Sequence, residues 1–247
     1  LHRADSLLNK KFVMSSVGRW LYNGNGDTVS IERIQTKKNG KPFYYKPKRF
    51  PKKAFFRFLG WYLSEGCVAY VKTRNGRKRC SGSISITQKC ALELEDIIET
   101  IREIGYEPRV YKNANGVSNV VFCDRHLALV LSRLGYSDEK FIPSRYKHSD
   151  PEALRELLES LYLGDGDDRN VLTTTSIRLA NDVQEILLRL GEVATIHHVS
   201  GKTDGGKDLF RVHRQRFPFK RFNGFRHSST AATVKKEHYI GTVYCVS

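Results

Sequence analysis

The sequence predicts an α+β chain built as two similar halves, each running α-β-β-α-β-β. Two observations carry this. Apolar residues switch between helical and strand spacing in the same order twice along the chain. The segment 94–105 also aligns with 180–191, an offset of 86, while two acid-glycine steps, Glu65-Gly66 and Asp165-Gly166, stand 100 apart. The first half therefore carries 100 − 86 = 14 extra residues between its acid and its second helix.

Residues 1–50 form a basic lead-in. Ala4-Asp5-Ser6-Leu7-Leu8 suits a helical turn, and Gly24, Gly26, Gly40, Pro42, Pro47 and Pro51 interrupt regular structure. The first half spans 51–148. Its opening helix starts at Lys52 on a broad apolar face (Phe55, Phe56, Phe58, Leu59, Tyr62, Leu63) and stops at Gly66. Residues 68–87 read as strands around an Asn75-Gly76 hairpin turn, with Ile84 and Ile86 alternating with polar residues. Leu94, Ile97, Ile98, Ile101 and Ile104 recur at helical spacing up to Gly105, a residue type suited to a helix end. Two short strands follow near Val110 and Val120, then a helix from His126 to Leu134 closed by Gly135.

The second half spans 149–236, after a linker containing Ile142-Pro143. Ser149-Asp150-Pro151-Glu152 is a helix start with a capping side chain, a proline in the first turn and an acid after it. That helix runs to Gly166. A strand at 171–175, a helix through Leu179, Val183, Ile186 and Leu190, and strands at 193–199 and 209–213 complete the repeat. Residues 237–247 form a short C-terminal remnant.

Net charge is +16, and the excess is local: residues 33–57 hold ten Lys and Arg with no acid, residues 209–236 hold eight with none. Tyr and Phe are interleaved in both. Two acid-free basic stretches point to nucleic acid. Neither has the helical period of a membrane-surface segment, and no apolar run is long enough to span a bilayer. The 33–57 stretch reads as an extended arm that orders on binding. Five scattered cysteines without a C-x-x-C pair exclude a disulfide framework or zinc site and suggest reduced, mostly buried thiols in a cytoplasmic protein.

Two nonamers carry the chemistry: Phe58-Leu59-Gly60-Trp61-Tyr62-Leu63-Ser64-Glu65-Gly66 and Leu158-Glu159-Ser160-Leu161-Tyr162-Leu163-Gly164-Asp165-Gly166. Each has small residues four apart, Gly60 and Ser64, then Ser160 and Gly164. They lie on one helix face and let two backbones approach closely. Each ends in an acid followed by glycine. An acid at a helix C-terminus is disfavoured by ~0.3–1 kcal/mol, and two packed helices would bring two such acids together. A divalent cation held by Glu65 and Asp165 resolves both problems, and Mg²⁺ suits hard oxygen ligands. A metal so placed activates water for phosphodiester cleavage.

These nonamers resemble the signature helices of the LAGLIDADG homing endonucleases, the second more specifically, with its Leu-Gly-Asp-Gly-Asp and its upstream Ile-Pro. The resemblance covers about residues 50–220. It implies a monomer of two αββαββα halves joined at a two-helix interface, each half presenting a saddle-shaped antiparallel sheet to the DNA major groove. It implies cleavage of both strands of a long double-stranded site, leaving 3′ overhangs. Glu65 and Asp165 would bind Mg²⁺, with Mn²⁺ or Ca²⁺ able to substitute for binding, and the backbone of Gly66 and Gly164 would assist. Gln88 and Lys89, at the strand-to-helix step of the first half, would order water beside the metals. The sequence departs from the name motif at Leu63, Ser64 and Glu65; glutamate remains an oxygen ligand.

Candidate DNA contacts are Lys46, Lys48 and Arg49 in the lead-in, Lys72, Arg74, Arg77, Lys78 and Arg79 in the first half, and Arg211, His213, Arg214 and Arg216 in the second. His238–Val246 is similar to the segment preceding an intein's C-terminal splice junction, and Ala4–Met14 resembles what precedes an intein's endonuclease insert. This implies an intein-derived endonuclease without splicing machinery, or a free-standing relative with remnants at both ends. A non-cleaving DNA-binding protein on the same fold would lose the two acids. An RNA maturase would prefer structured RNA over duplex DNA. His197 and His198 lack the spacing of an HNH nuclease and read as ordinary strand residues.

Overall fold

A computed structural model describes residues 11–15, 26–38, 41–72, 76, 78–201, 206–215 and 219–223. After strand β1 (Lys11–Ser15) come four short strands: β2 (Thr28–Ile31), β3 (Ile34–Lys38), β4 (Lys41–Tyr45) and β5 (Lys48–Pro51). β2 pairs with β5 and β3 with β4, both antiparallel, making one bent hairpin. The expected extended arm is thus already a folded ribbon. Its base holds because Ile31, Ile34 and Phe50 are buried in the main core, and the prolines lie at its joints and on β4 rather than inside a wider sheet.

The first half continues with α1 (Lys52–Glu65), β6 (Gly66–Lys72), β7 (Lys78–Gln88), α2 (Ala91–Glu103), β8 (Arg109–Lys112), β9 (Ser118–Cys123) and α3 (Arg125–Leu131). Its strands form one antiparallel sheet in the order β6-β7-β9-β8. A 3₁₀ turn extends α3 to Leu134, and Gly135, at φ 83°, ends it. The linker contains a short helix, α4 (Ser144–Lys147). The second half holds α5 (Pro151–Asp165), β10 (Val171–Thr174), α6 (Ile177–Arg189), β11 (Val193–Val199) and β12 (Leu209–Gln215). Asp150 caps α5, accepting from the Ala153 amide at 2.9 Å. Last comes β13 (Phe219–Asn223), which pairs antiparallel with β1 and ties the lead-in to the end of the second half.

The repeat is real but unequal. The second sheet has three strands, β10-β12-β11. Where the first half has β6, the second has only a bridge between Gly166 and Leu172. The shorter stretch closes instead on a tight turn, in which Asp167 accepts from the amides of Arg169 and Val171, both at 3.0 Å.

α1 and α5 pack along each other more extensively than any other pair of elements. α1 is apolar nearly all round and correspondingly buried, with Phe55, Phe58, Leu59, Trp61 and Leu63 all at 1% exposure or less. The sheets cover the helix pair with one face, through Ile84, Ile86 and Val120 in the first half and Leu172 and Val212 in the second. Of the four described cysteines only Cys80 is buried; Cys67 is half-buried and Cys90 and Cys123 are exposed, all as free thiols. The expectation of mostly buried thiols fails because Cys90 stands at the start of α2 and Cys123 at the end of β9, where side chains meet solvent. Among the described residues no helix is long and apolar enough to cross a membrane.

Candidate active site

The two nonamers form the C-terminal parts of α1 and α5, and their small residues meet as pairs. A Cβ placed on Gly60 would collide with the Ser160 hydroxyl and lie 3.0 Å from the Leu161 amide nitrogen. A Cβ on Gly164 would lie 2.5 Å from the Ser64 Cβ. Each residue of one helix therefore faces its own counterpart, 100 positions on, across a pseudo-two-fold axis. The same symmetry brings Glu65 beside Asp165: the Gly164 Cβ position is 3.5 Å from Glu65 Cγ. Both helices then turn into extended backbone, at Gly66 (φ −90°, ψ 149°) and Gly166 (φ −92°, ψ 167°), and each glycine amide donates back to its helix, to Tyr62 and Tyr162 respectively. A side chain at either glycine would strike that tyrosine's backbone, at 2.5 Å from Tyr62 Cα and 3.1 Å from Tyr162 Cα.

Electrostatics mark this point. Asp165 is pushed up to about 7, first by burial and then by the Glu65 charge. Glu65 is also raised, again mainly by burial. Both effects are opposed by one cation, Lys140. Its ammonium is buried in the linker and donates to the carbonyls of Tyr62 (3.2 Å), Leu63 (2.9 Å), Ser64 (3.1 Å) and Gly66 (3.1 Å). It closes the end of α1 that carries Glu65, where backbone carbonyls otherwise lack partners. Burial lowers the Lys140 pKa while the two acids raise it. Nothing in the periodicity around Asp138-Glu139-Lys140 singles this residue out.

The donor set suits a divalent cation. Two desolvated carboxylates share one region with a single lysine to balance them. Among the described residues no group of three or more His, Cys, Asp or Glu forms a closed ligand cage. Mg²⁺ typically takes one or two carboxylates and completes its shell from water and substrate phosphate.

Residues 152–223 match the LAGLIDADG-like domain model, spanning α5 to β13. Two solved structures share the fold: I-DmoI in complex with DNA and Mn, at TM-score 0.50 and 16% identity, covering 66% of this chain and 90% of that one; and a variant of I-DmoI with its target DNA and Mn, also at 0.50 and 16%, covering 66% and 87%. Residues 152–223 thus carry a LAGLIDADG-like domain. No curated protein matches it in sequence.

The structure separates the predicted site residues. Gln88 and Lys89 stand at the β7-to-α2 step, where the Gln88 carboxamide oxygen accepts from the amides of Lys89 (2.6 Å) and Cys90 (3.2 Å) and so opens α2. The Gly66 carbonyl, expected to assist a metal, instead accepts from Lys140.

Each sheet turns its other face away from the helices. On the first sheet this face carries Ser83, Ser85, Thr87 and Asn119, with Arg79 toward the β6–β7 turn, by the strand alternation and register. Lys72 and Lys78 pair across that turn on the opposite parity and are exposed. On the second sheet the open face holds Arg211 and His213. Arg214 points the other way and pairs with Glu192, its second guanidinium nitrogen at 2.7 Å from the carboxylate, so it is not on the reading face. The reason is plain alternation along β12, in which Val212 and Arg214 share the core side. His197 belongs on the open face: it pairs with Arg211 in register, and its ring lies 4.6 Å from that of His213. Alternation in 193–199 against 209–215 is the signal that would have found it. His198, by contrast, stacks on Phe210 and binds Asp208 at 2.7 Å, as an ordinary strand residue does.

In the lead-in, Lys46 and Arg49 are exposed. Lys48 instead forms an ion pair with Asp124 and lies over the Tyr106 ring, at 5.7 Å from its centroid, so its charge is engaged by the first half and it is not a free DNA contact. Arg74, Arg77 and Arg216 lie outside the described residues, as do the C-terminal intein-like segment and residues 4–10 of the N-terminal one, whose Lys11–Met14 falls on β1.

Proposed function

We propose that this protein is a site-specific homing endonuclease that makes a metal-dependent double-strand break in DNA. The observation that carries the reading is the pairing of Glu65 and Asp165 at the adjoining ends of α1 and α5, with Asp165 raised to about 7. Perturbed acids of this kind cluster at functional sites. I-DmoI, whose structures contain target DNA and manganese, supports the substrate class.

Glu65 and Asp165 would hold the metal, with Mg²⁺ the expected ion. When bound, the cation supplies a Lewis acid and an activated water for phosphodiester hydrolysis. Lys140 is a positioning residue, fixing the last turn of α1 so that Glu65 is held against Asp165, and it tempers the charge of both acids. Gln88 and Lys89, at the end of the β7 strand, would order water beside the metal. Arg79, Arg211, His213 and His197 read or hold the duplex from the open faces, with Lys72, Lys78, Lys46 and Arg49 toward its backbone. One chain supplies both carboxylates, which suits a monomer acting in the cytoplasm, and the ends of the chain suit an intein-derived origin.

The test is selection of cleaved sites from a randomised duplex library with Mg²⁺. Recovery of one long site, cut on both strands with 3′ overhangs, is expected. Intact duplex at every sequence, with tighter binding to structured RNA, would replace the reading with a maturase.

A further inference from the structure

The β3–β4 ribbon has two faces with different fates. Ile34, Thr36, Phe43 and Tyr45 share one, and Gln35, Lys37, Pro42 and Tyr44 the other, by the register Ile34↔Tyr45 to Lys37↔Pro42. The first face docks. Ile34 is buried, Tyr45 stacks on His126 at 5.2 Å, and Phe43 meets Tyr45 edge-on at 5.0 Å. His126 Nε2 also bonds the Glu32 carbonyl at 2.6 Å, and the Glu32 carboxylate pairs with Arg145. These contacts anchor the base of the ribbon to α3 and to the linker. The second face is left to solvent: Gln35, Lys37 and Pro42 are exposed and Tyr44 is 44% exposed, with the Arg33 guanidinium lying over its ring at 4.1 Å. Lys41 is exposed at the ribbon's end but alternates with Phe43 and Tyr45, on the first face.

From Arg33 to Arg49 there are seven Lys and Arg and no acid. Farther along the basic run, Lys52, Lys53 and Arg57 are engaged across the helix pair, with Asp150, Glu152 and Glu156. The free positive charge is thus concentrated on the ribbon. A two-stranded ribbon fits the major groove of duplex DNA, about 12 Å wide. A cation held over an aromatic ring is preorganised for phosphate or base contact.

We propose that the outward face of the β3–β4 ribbon, with Arg33, Lys37 and Tyr44, is a second duplex-DNA contact, outside the two sheets and on the flank next to the first half. It rests on the reading of the chain as a DNA-binding protein, but not on cleavage. It lengthens the footprint on the side of the four-stranded sheet.

The experiment measures Kd for a long duplex of mixed sequence across a salt series. Each phosphate neutralised contributes about −0.9 to the slope of log K against log salt. The double variant Arg33→Ala, Lys37→Ala is therefore expected to flatten the slope by about 1.8. A control that removes two cations elsewhere, Arg102→Ala with Arg155→Ala, is expected to leave the slope unchanged. An unaltered slope in the double variant overturns the ribbon's role. So does an equal flattening per charge in the control, which would assign the effect to net charge. Cleavage by the wild-type chain with Mg²⁺ is scored separately, so loss of the nuclease reading and loss of the ribbon contact are read from different measurements. Thermal melts that match the wild type show that the surface substitutions leave the fold intact.

Discussion

Gly164 on α5 and Ser64 on α1 stand so close that a methyl group on Gly164 would have its carbon 2.5 Å from the Ser64 Cβ. The backbone on one side and a short side chain on the other leave no room to yield. Gly164→Ala is expected to destabilise the fold by about 1–3 kcal/mol through overpacking. It should also push apart the two carboxylates, and a displacement near 1 Å can cost about a hundredfold in rate. Urea unfolding and single-turnover cleavage measure the two losses. A variant with full activity would show that the helix spacing does not set the metal site.

The acids themselves are separable from binding. Asp165→Asn is expected to abolish cutting while duplex affinity survives, and Glu65→Gln to do the same or to leave a nickase. Gel analysis of nicked and linear plasmid, beside a binding titration, distinguishes these outcomes. Full linearisation by Asp165→Asn would remove the catalytic assignment.

The raised Asp165 pKa has a definite sign. In the unfolded chain this carboxyl titrates near 3.8; in the fold it titrates at about 7. The folded state therefore holds a proton that the unfolded state has released, and this group's contribution to stability falls as pH rises through that window. Thermal melts without metal should decline between these limits, and Asp165→Asn should flatten the decline. Excess Mg²⁺ competes with the proton, so its stabilising effect should be largest above pH ~7 and fade toward pH ~5. An equal Mg²⁺ shift at both ends of the range would count against Asp165 as a ligand.

Lys140→Met keeps the length of the side chain but removes the donor to four carbonyls. Leaving buried carbonyls without partners costs about 1–3 kcal/mol. The change also removes the one cation that lowers Asp165 and Glu65, so the pH dependence of cleavage should move to higher pH. A destabilised variant with an unmoved pH profile would make Lys140 structural only.

Arg211 and Arg214 are three residues apart on one strand but face opposite sides of the sheet. Arg211→Ala is expected to weaken duplex binding and reduce the salt slope by about 1, as loss of one phosphate contact does. Arg214→Ala should leave the slope unchanged and lower stability through its lost pairing with Glu192. The reverse pattern would invert the assignment of the reading face.

Local order was written in the amino-acid chain. The periodicities around Leu154–Leu161 and Ile97–Ile104, the cap at Asp150 and the glycines after Glu65 and Asp165 all place α1, α2, α5 and α6 where they stand, because helix and strand spacing are properties of neighbouring residues. The duplicated small-residue pattern also announced that the two acids would meet. Tertiary structure alone decided the rest. Lys140 reaches the end of α1 from 74 to 78 residues away, Lys48 is drawn inward by Asp124, and the interrupted lead-in becomes a ribbon because α3 offers it a surface. Charge and composition do not say which partner a long side chain will find. That choice is made by packing between segments distant in sequence, where desolvation and geometry, and not local propensity, set the energy.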